Sequence, residues 1–244
     1  MNIADAAFRL EKPLALPEDE VHLWRVDLAT VAAAEERWAP ILSEDERARA
    51  ARFHFARDRQ NFTAARALLR TILGAYVGSD PKHLVFRYSD KDKPFLGSNE
   101  AGTPVEFNIS HSGTVALLGF ARGREVGVDV EQVRTDLDCE AIARRFFSER
   151  EQQQLVALPA SERYAGFFRC WTRKEAYIKA TGSGLSLPLR QFDVSITPND
   201  GSALLSTRPD ASEAGRWGLQ EVPAGEGYVA ALCVRGRGWQ LKCS

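Results

Sequence analysis

The 244-residue chain is short of cysteine, of long apolar runs and of net charge, and each shortage removes a class of protein. Its four cysteines, Cys139, Cys170, Cys233 and Cys243, form no C-x-x-C pair and have no histidine at ligand spacing. A zinc site or disulfide framework is therefore not expected, and a reducing cytoplasm fits. No apolar run reaches the roughly 18 residues that a membrane-spanning helix needs. Met1–Glu20 carries acids and two prolines but no apolar leader segment, so no signal peptide is expected. A formal charge of −1 argues for neither a nucleic acid nor a membrane partner. Also missing are a G-x-x-x-x-G-K-[ST] loop, a kinase glycine loop and a G-x-S-x-G elbow. Their absence sets aside the commonest phosphoryl-transfer classes and the serine hydrolases.

What remains is the composition of a soluble globular protein, 44% apolar and 27% charged, long enough for one large domain or two of about 120 residues. Charge is uneven along it. Residues 45–93 hold eleven lysines and arginines against six acids, a stretch able to attract a polyanion.

Alternation predicts a strand over Val21–Leu28, followed by an alanine-rich helix ending near Ile41-Leu42. Ser43-x-x-Glu46 reads as a capping box opening the next helix, and Asp58–Tyr76 as a longer helix with Gly78 beyond its end. Leu84–Tyr88 is a short strand, and Lys91–Pro94 a turn before Phe95-Leu96. Val105–Ile109 and Thr114–Ala121 then form a hairpin around Ser110-His111-Ser112-Gly113.

After Arg122-Gly123-Arg124 the pattern restarts with an offset of 105 residues: Glu20-Val21 returns as Glu125-Val126, and Ser43-x-x-Glu46 as Ser148-x-x-Glu151. The expected fold is α+β: two similar halves, 1–122 and 123–244, related by a pseudo-two-fold axis, with a site at their interface. The halves differ in chemistry. Trp24 and Val26 correspond to Asp129 and Glu131, and Arg70 to Glu175, so one half carries acids where the other carries a base and apolar groups.

Gly127-Val128-Asp129-Val130-Glu131 alternates strictly, which puts both carboxylates on one strand face. Such a pair repels unless a cation lies between, and oxygen-only donors suit a hard ion such as Mg2+. In Trp171-Thr172-Arg173-Lys174-Glu175-Ala176-Tyr177-Ile178-Lys179, helical spacing places Trp171, Glu175, Ile178 and Lys179 on one face. Glu175 supplies a third acid from the same half. Arg66 and Arg70 share a face of the earlier long helix, where they either support phosphates or form structural ion pairs.

These two stretches resemble the signature motifs of 4′-phosphopantetheinyl transferases of the surfactin-synthetase-activating (Sfp) type. Phe107-Asn108-Ile109-Ser110-His111-Ser112 and Gly182-Ser183-Gly184-Leu185 resemble two further family segments, all in order between about Ser43 and Phe192. The resemblance implies coenzyme A bound between the halves, with Mg2+ bridging its diphosphate to Asp129, Glu131 and Glu175. It implies attack by a serine of an acyl or peptidyl carrier protein and release of adenosine 3′,5′-bisphosphate. Glu175, directly or through a metal-bound water, is then the expected base, with Glu131 the alternative, and Lys179 the group steadying the leaving phosphate. Arg49 matches the position that holds the 3′-phosphate, and Ser110 and His111 those near the phosphates and adenosine. Lys93 matches the lysine of a Gly-Lys-Pro turn in which Asp92 here replaces the glycine. A monomer is expected, because the internal repeat supplies both walls of the cleft. Rival readings are a coenzyme A-binding module without catalysis and another Mg2+-dependent phosphodiester enzyme.

Overall fold

The computed structural model describes residues 13–32, 35–97, 104–198, 200 and 203–244. Met1–Lys12, on which part of the leader reading rests, lie outside the described residues. The first half runs β1 (Glu20–Asp27), α1 (Leu28–Val31), α2 (Glu35–Trp38), α3 (Glu44–Ala51), α4 (Ala56–Val77), β2 (Phe86–Tyr88), β3 (Pro94–Leu96), β4 (Val105–Ser112) and β5 (Val115–Arg122). The second runs β6 (Val126–Gln132), α5 (Cys139–Phe146), α6 (Glu149–Ala157), α7 (Arg163–Thr181), β7 (Phe192–Val194), β8 (Leu204–Thr207), β9 (Trp217–Glu221) and β10 (Tyr228–Arg235). The fold is α+β, as expected. The two larger sheets are ordered β11-β1-β5-β4, where β11 is Gln240–Cys243, and β6-β10-β9, while β2 pairs with β3 and β7 with β8 in two small ones. With β11 set aside, the first, last and penultimate strands of each half lie side by side in the larger sheets. The closing strand β11 returns to pair parallel with β1, tying the chain's end to the first sheet.

Each half has its own apolar core against its long helix, and a third core joins them. Val126, Val128 and Val130 of β6 pack there with Leu23, Leu117, Leu232 and Val234. Among the described residues no helix is long and apolar enough to cross a membrane.

Both capping boxes form, and each does more than cap. Glu46 closes onto the Ser43 amide at 3.0 Å while its other contacts reach α4, where Arg70 Nε donates at 2.6 Å and Arg66 Nε bonds it too. Glu151 closes onto the Ser148 amide at 2.8 Å and meets Lys174 Nζ of α7 at 2.8 Å. Arg66 and Arg70 are therefore structural: Arg70 also donates to the Pro81 and Leu84 carbonyls, and Arg66 to the Tyr88 hydroxyl.

Two expectations are corrected. The alanine-rich stretch is not one helix to Ile41-Leu42. Its described residues form the four-residue α1 and α2 and a 3-10 turn, Ala39–Ile41, that begins around Pro40. The Trp38 indole donates to the Val31 carbonyl, occupying an acceptor that a continuing helix would use. Nor do Ser110, His111 and Ser112 form a turn. They continue β4, and the hairpin turns only at Gly113-Thr114, with Gly113 at φ +57°. A Cβ at Gly113 would also stand 2.5 Å from the Tyr228 hydroxyl.

Burial opposes the charge on Glu46, but the Arg70 hydrogen bond and the Arg66 charge outweigh it and hold its pKa below the ordinary glutamate value. Its stabilisation is therefore present above the unfolded-state pKa and lost as pH falls through the folded one. Glu46→Gln strands two buried guanidiniums and lowers urea-unfolding stability by about 3 kcal/mol at neutral pH. The gap to wild type closes in acid; a gap unchanged from pH 7 to pH 3 would contradict this account.

Candidate active site

Because the valines of β6 fill the shared core, the alternating positions Gly127, Asp129 and Glu131 face the other way, toward α7. Gly127 sets how closely the helix lies. A Cβ there would stand 2.2 Å from the Ala176 carbonyl oxygen and 2.3 Å from the Ala180 nitrogen, both backbone atoms that cannot yield. That approach brings Lys179 onto Asp129, Nζ to Oδ1 at 2.6 Å, with Asp129 buried. Glu175, one turn earlier, is close enough to both acids of β6 for their charges to act on it.

The opposite wall comes from β4. It is the outer strand of its sheet, as β6 is of the other, and side chains join the two edges. Asn108 Oδ1 accepts the Val128 amide at 2.9 Å, Ser110 Oγ the Val130 amide at 3.4 Å and Ser112 Oγ the Gln132 amide at 3.2 Å. Ser110 also donates to Asp129 Oδ1 at 2.8 Å, and Ser112 to Glu131 Oε2 at 2.7 Å.

Burial pushes all three carboxyl pKa values up. For Asp129 the Lys179 charge opposes it; for Glu131 the Ser112 hydrogen bond opposes it while Asp129 adds to it; for Glu175 the charge of Asp129 adds to it. Asp129 Oδ2 is buried without a partner. Among the described residues no three histidines, cysteines or acids are already gathered into a metal cage. The donor set nonetheless fits a hard cation. It offers oxygens only, an orphaned buried carboxylate oxygen and mutual repulsion that a positive charge relieves, and Mg2+ commonly takes few protein ligands and completes its shell with water and phosphate.

A pocket of about 250 Å³ opens beside these groups, lined by Lys91, Lys93, Asn108, Glu175, Lys179 and Gly182 among others. Asp92 lines it too, and also lines a groove of about 620 Å³ with Arg49, Arg52, Phe53 and Tyr88. Asp92 sits at φ +59°, the left-handed conformation a glycine adopts without strain.

Residues 32–121 match the model of the N-terminal region of 4′-phosphopantetheinyl transferases, and residues 125–233 that of the 4′-phosphopantetheinyl transferase superfamily. The chain is 43% identical to the 4′-phosphopantetheinyl transferase HetI of Nostoc sp. over 96% of both chains. It is 33% identical to the transferase psf-1 of Bacillus pumilus over 82% of both. It is 30% identical to Sfp of Bacillus subtilis, covering 82% of this chain and 84% of Sfp. The chain belongs to the 4′-phosphopantetheinyl transferase superfamily. It is an enzyme of Sfp type.

Of the residues singled out in the transferase's sequence, Asp129, Ser110 and Lys179 meet directly, with Glu131 and Glu175 beside them. Lys93 reaches across the seam to the Val126 and Ala180 carbonyls at 3.3 and 3.2 Å, capping the last turn of α7; burial lowers its pKa, against the charges of Glu106 and Glu125. Arg49 stands apart in the larger groove, exposed, its guanidinium 5.4 Å from the Phe62 ring centre. His111 lies on the other face of β4. Desolvation of its imidazole and then the Lys179 charge lower its pKa, against Asp58. Sequence reading quoted Asn108 and Ser112 without a role. The signal was available, since Asn108, Ser110 and Ser112 are polar at every second position of a strand.

A carboxyl whose folded pKa is raised favours folding while protonated, so its penalty is absent below the unfolded pKa and complete above the folded one. In EDTA, Glu175→Gln therefore raises Tm at pH 8 by about 2–4 °C and changes it little at pH 4. A variant equally stabilised at both pH values would rule out the repulsion among these acids.

Proposed function

We propose that the chain transfers the 4′-phosphopantetheine arm of coenzyme A to a serine of an acyl or peptidyl carrier protein, releasing adenosine 3′,5′-bisphosphate in a Mg2+-dependent reaction. The observation that carries the reading is the orphaned, buried Asp129 Oδ2 among three mutually repelling carboxylates at the mouth of a pocket between the halves. Asp129, Glu131 and Glu175 would hold the cation. Bound there, it supplies positive charge to the diphosphate of coenzyme A.

The remaining steps belong to side chains. The carrier serine oxygen forms a bond to the phosphorus that bears pantetheine, and the bond from that phosphorus to the bridging oxygen breaks. The bridging oxygen leaves with the electron pair on adenosine 3′,5′-bisphosphate. Glu175 takes the serine proton, a role helped by burial and by Asp129, which make it more basic than an ordinary glutamate. Lys179, already beside Asp129 and Ser110, steadies the leaving phosphate. In this reading the first half binds coenzyme A: Arg49 takes the 3′-phosphate in the larger groove and Lys93 lines the pocket beside Glu175, while Ser110 and His111 serve the phosphates and adenosine as the family resemblance implies. The protein acts as a monomer, both walls coming from one chain. The described cysteines are free, which suits a reducing cytoplasm.

Mixing the protein with coenzyme A, Mg2+ and apo carriers of several types, then weighing the carriers, tests the reaction. One phosphopantetheine arm gained per carrier is expected; an unchanged mass for every carrier refutes it. Arg49→Ala should raise KM for coenzyme A by ~10–100-fold, the loss of a charge-assisted contact, with no change for 3′-dephospho-coenzyme A. Equal losses on both substrates would move Arg49 away from the 3′-phosphate.

A further inference from the structure

Ser110 and Ser112 repeat one device two residues apart. Each hydroxyl accepts the amide of a β6 residue, Val130 or Gln132, and donates to the acid just before it, Asp129 Oδ1 or Glu131 Oε2. A serine hydroxyl has one proton and two lone pairs. With the amide hydrogen occupying a lone pair, the hydroxyl proton is directed to the carboxylate and cannot be shared with the amide. Each acid is thus held by one oxygen. Asp129 shows the consequence, because its Oδ1 is bound by Ser110 and Lys179 while Oδ2 has no partner.

Lys179 does not hold Glu131 as it holds Asp129. The Glu131 side chain is long and only half-buried, and the 2.7 Å bond from Ser112 holds its carboxylate against β4. We propose that Ser112 is a positioning residue for Glu131: by binding Oε2 it leaves Oε1 as the oxygen offered to the divalent cation. This inference rests on the metal-dependent reading above and deepens it. It makes the first half, through β4, a contributor to the metal site of the second, although Ser112 itself touches neither metal nor substrate.

The test is Mn2+ binding followed by electron paramagnetic resonance in the presence of coenzyme A, alongside Tm of the metal-free protein. Ser112→Ala should weaken Mn2+ binding about 10-fold, as loss of a ligand's hydrogen-bond partner does, while Tm stays within about 3 °C of wild type. Ser112→Thr, which keeps the hydroxyl, should restore affinity to within ~3-fold. In a Glu131→Gln background Ser112→Ala should weaken binding no further, because the residue acts through Glu131. Should the alanine variant not fold, Ser112→Cys keeps the volume with a poor donor and should show the same loss. Unchanged Mn2+ affinity in Ser112→Ala, or an equal loss with and without Glu131, overturns the assignment. A wild-type protein that binds no Mn2+ overturns the metal reading itself, and the inference with it.

Discussion

The structure depends on how two sheet edges meet without pairing. An edge strand presents unpaired amides, and proteins must cover or occupy them. Here β6 gives its outward amides, those of Val128, Val130 and Gln132, to Asn108, Ser110 and Ser112 of β4. The contact is polar on this line and apolar behind it, where Val126, Val128 and Val130 enter the shared core. Period-two alternation then leaves Asp129 and Glu131 no direction but toward α7. The same geometry that joins the halves therefore aims the acids, and Gly127 lets the helix come close enough to complete the cluster.

Elsewhere the fold balances its buried charges. Glu46 has two arginines, and Lys174 has Glu151 with the Leu189 and Phe192 carbonyls, three acceptors for three protons. The two halves reach this balance differently. In the first, the capping-box glutamate is answered from α4 positions 66 and 70; in the second it is answered from position 174 of α7. The next position of α7 carries the acid Glu175. Glu175 then sits beside Asp129 and Glu131, whose charges the Lys179 ammonium offsets only in part. Repulsion left among buried carboxylates beside a pocket marks that place for a ligand of opposite charge.

Local, periodic features were legible in the sequence: the alternating β6, both capping boxes, the two long helices and Gly78 beyond the end of the first. Each is set by residues a few positions apart. The acids of the site were legible for the same reason, as i, i+2 and i, i+4 patterns. What escaped depends on tertiary partners. Ser110, His111 and Ser112 look like turn residues until the ladder with β5 runs on through them and the Ser110 and Ser112 hydroxyls take up amides of β6. The break after Val31 depends on a tryptophan seven residues away folding back onto a carbonyl. The roles of Arg66 and Arg70 stayed open because nothing near them in sequence names Glu46 as the shared partner of both.

The turn between β2 and β3 brings these threads together. Asp92 takes a left-handed conformation there, and Lys93 projects across the seam to a carbonyl at the start of β6 and another at the end of α7. Those two carbonyls flank the strand and helix that carry the acids. The lysine is half-buried, and desolvation works against its charge, so the contact persists because the carbonyls and the nearby Glu106 and Glu125 support it. The turn is thereby fixed to the second half although it belongs to the first. Since Asp92 lines both the Arg49 groove and the pocket beside Glu175, the neighbouring lysine's grip on backbone atoms of the second half adds to the β4–β6 bonds and the shared core in holding one cavity against the other. A ligand that placed separate phosphate groups in the two cavities would need that spacing held, because charge at one site positions the other only if the distance between them does not drift.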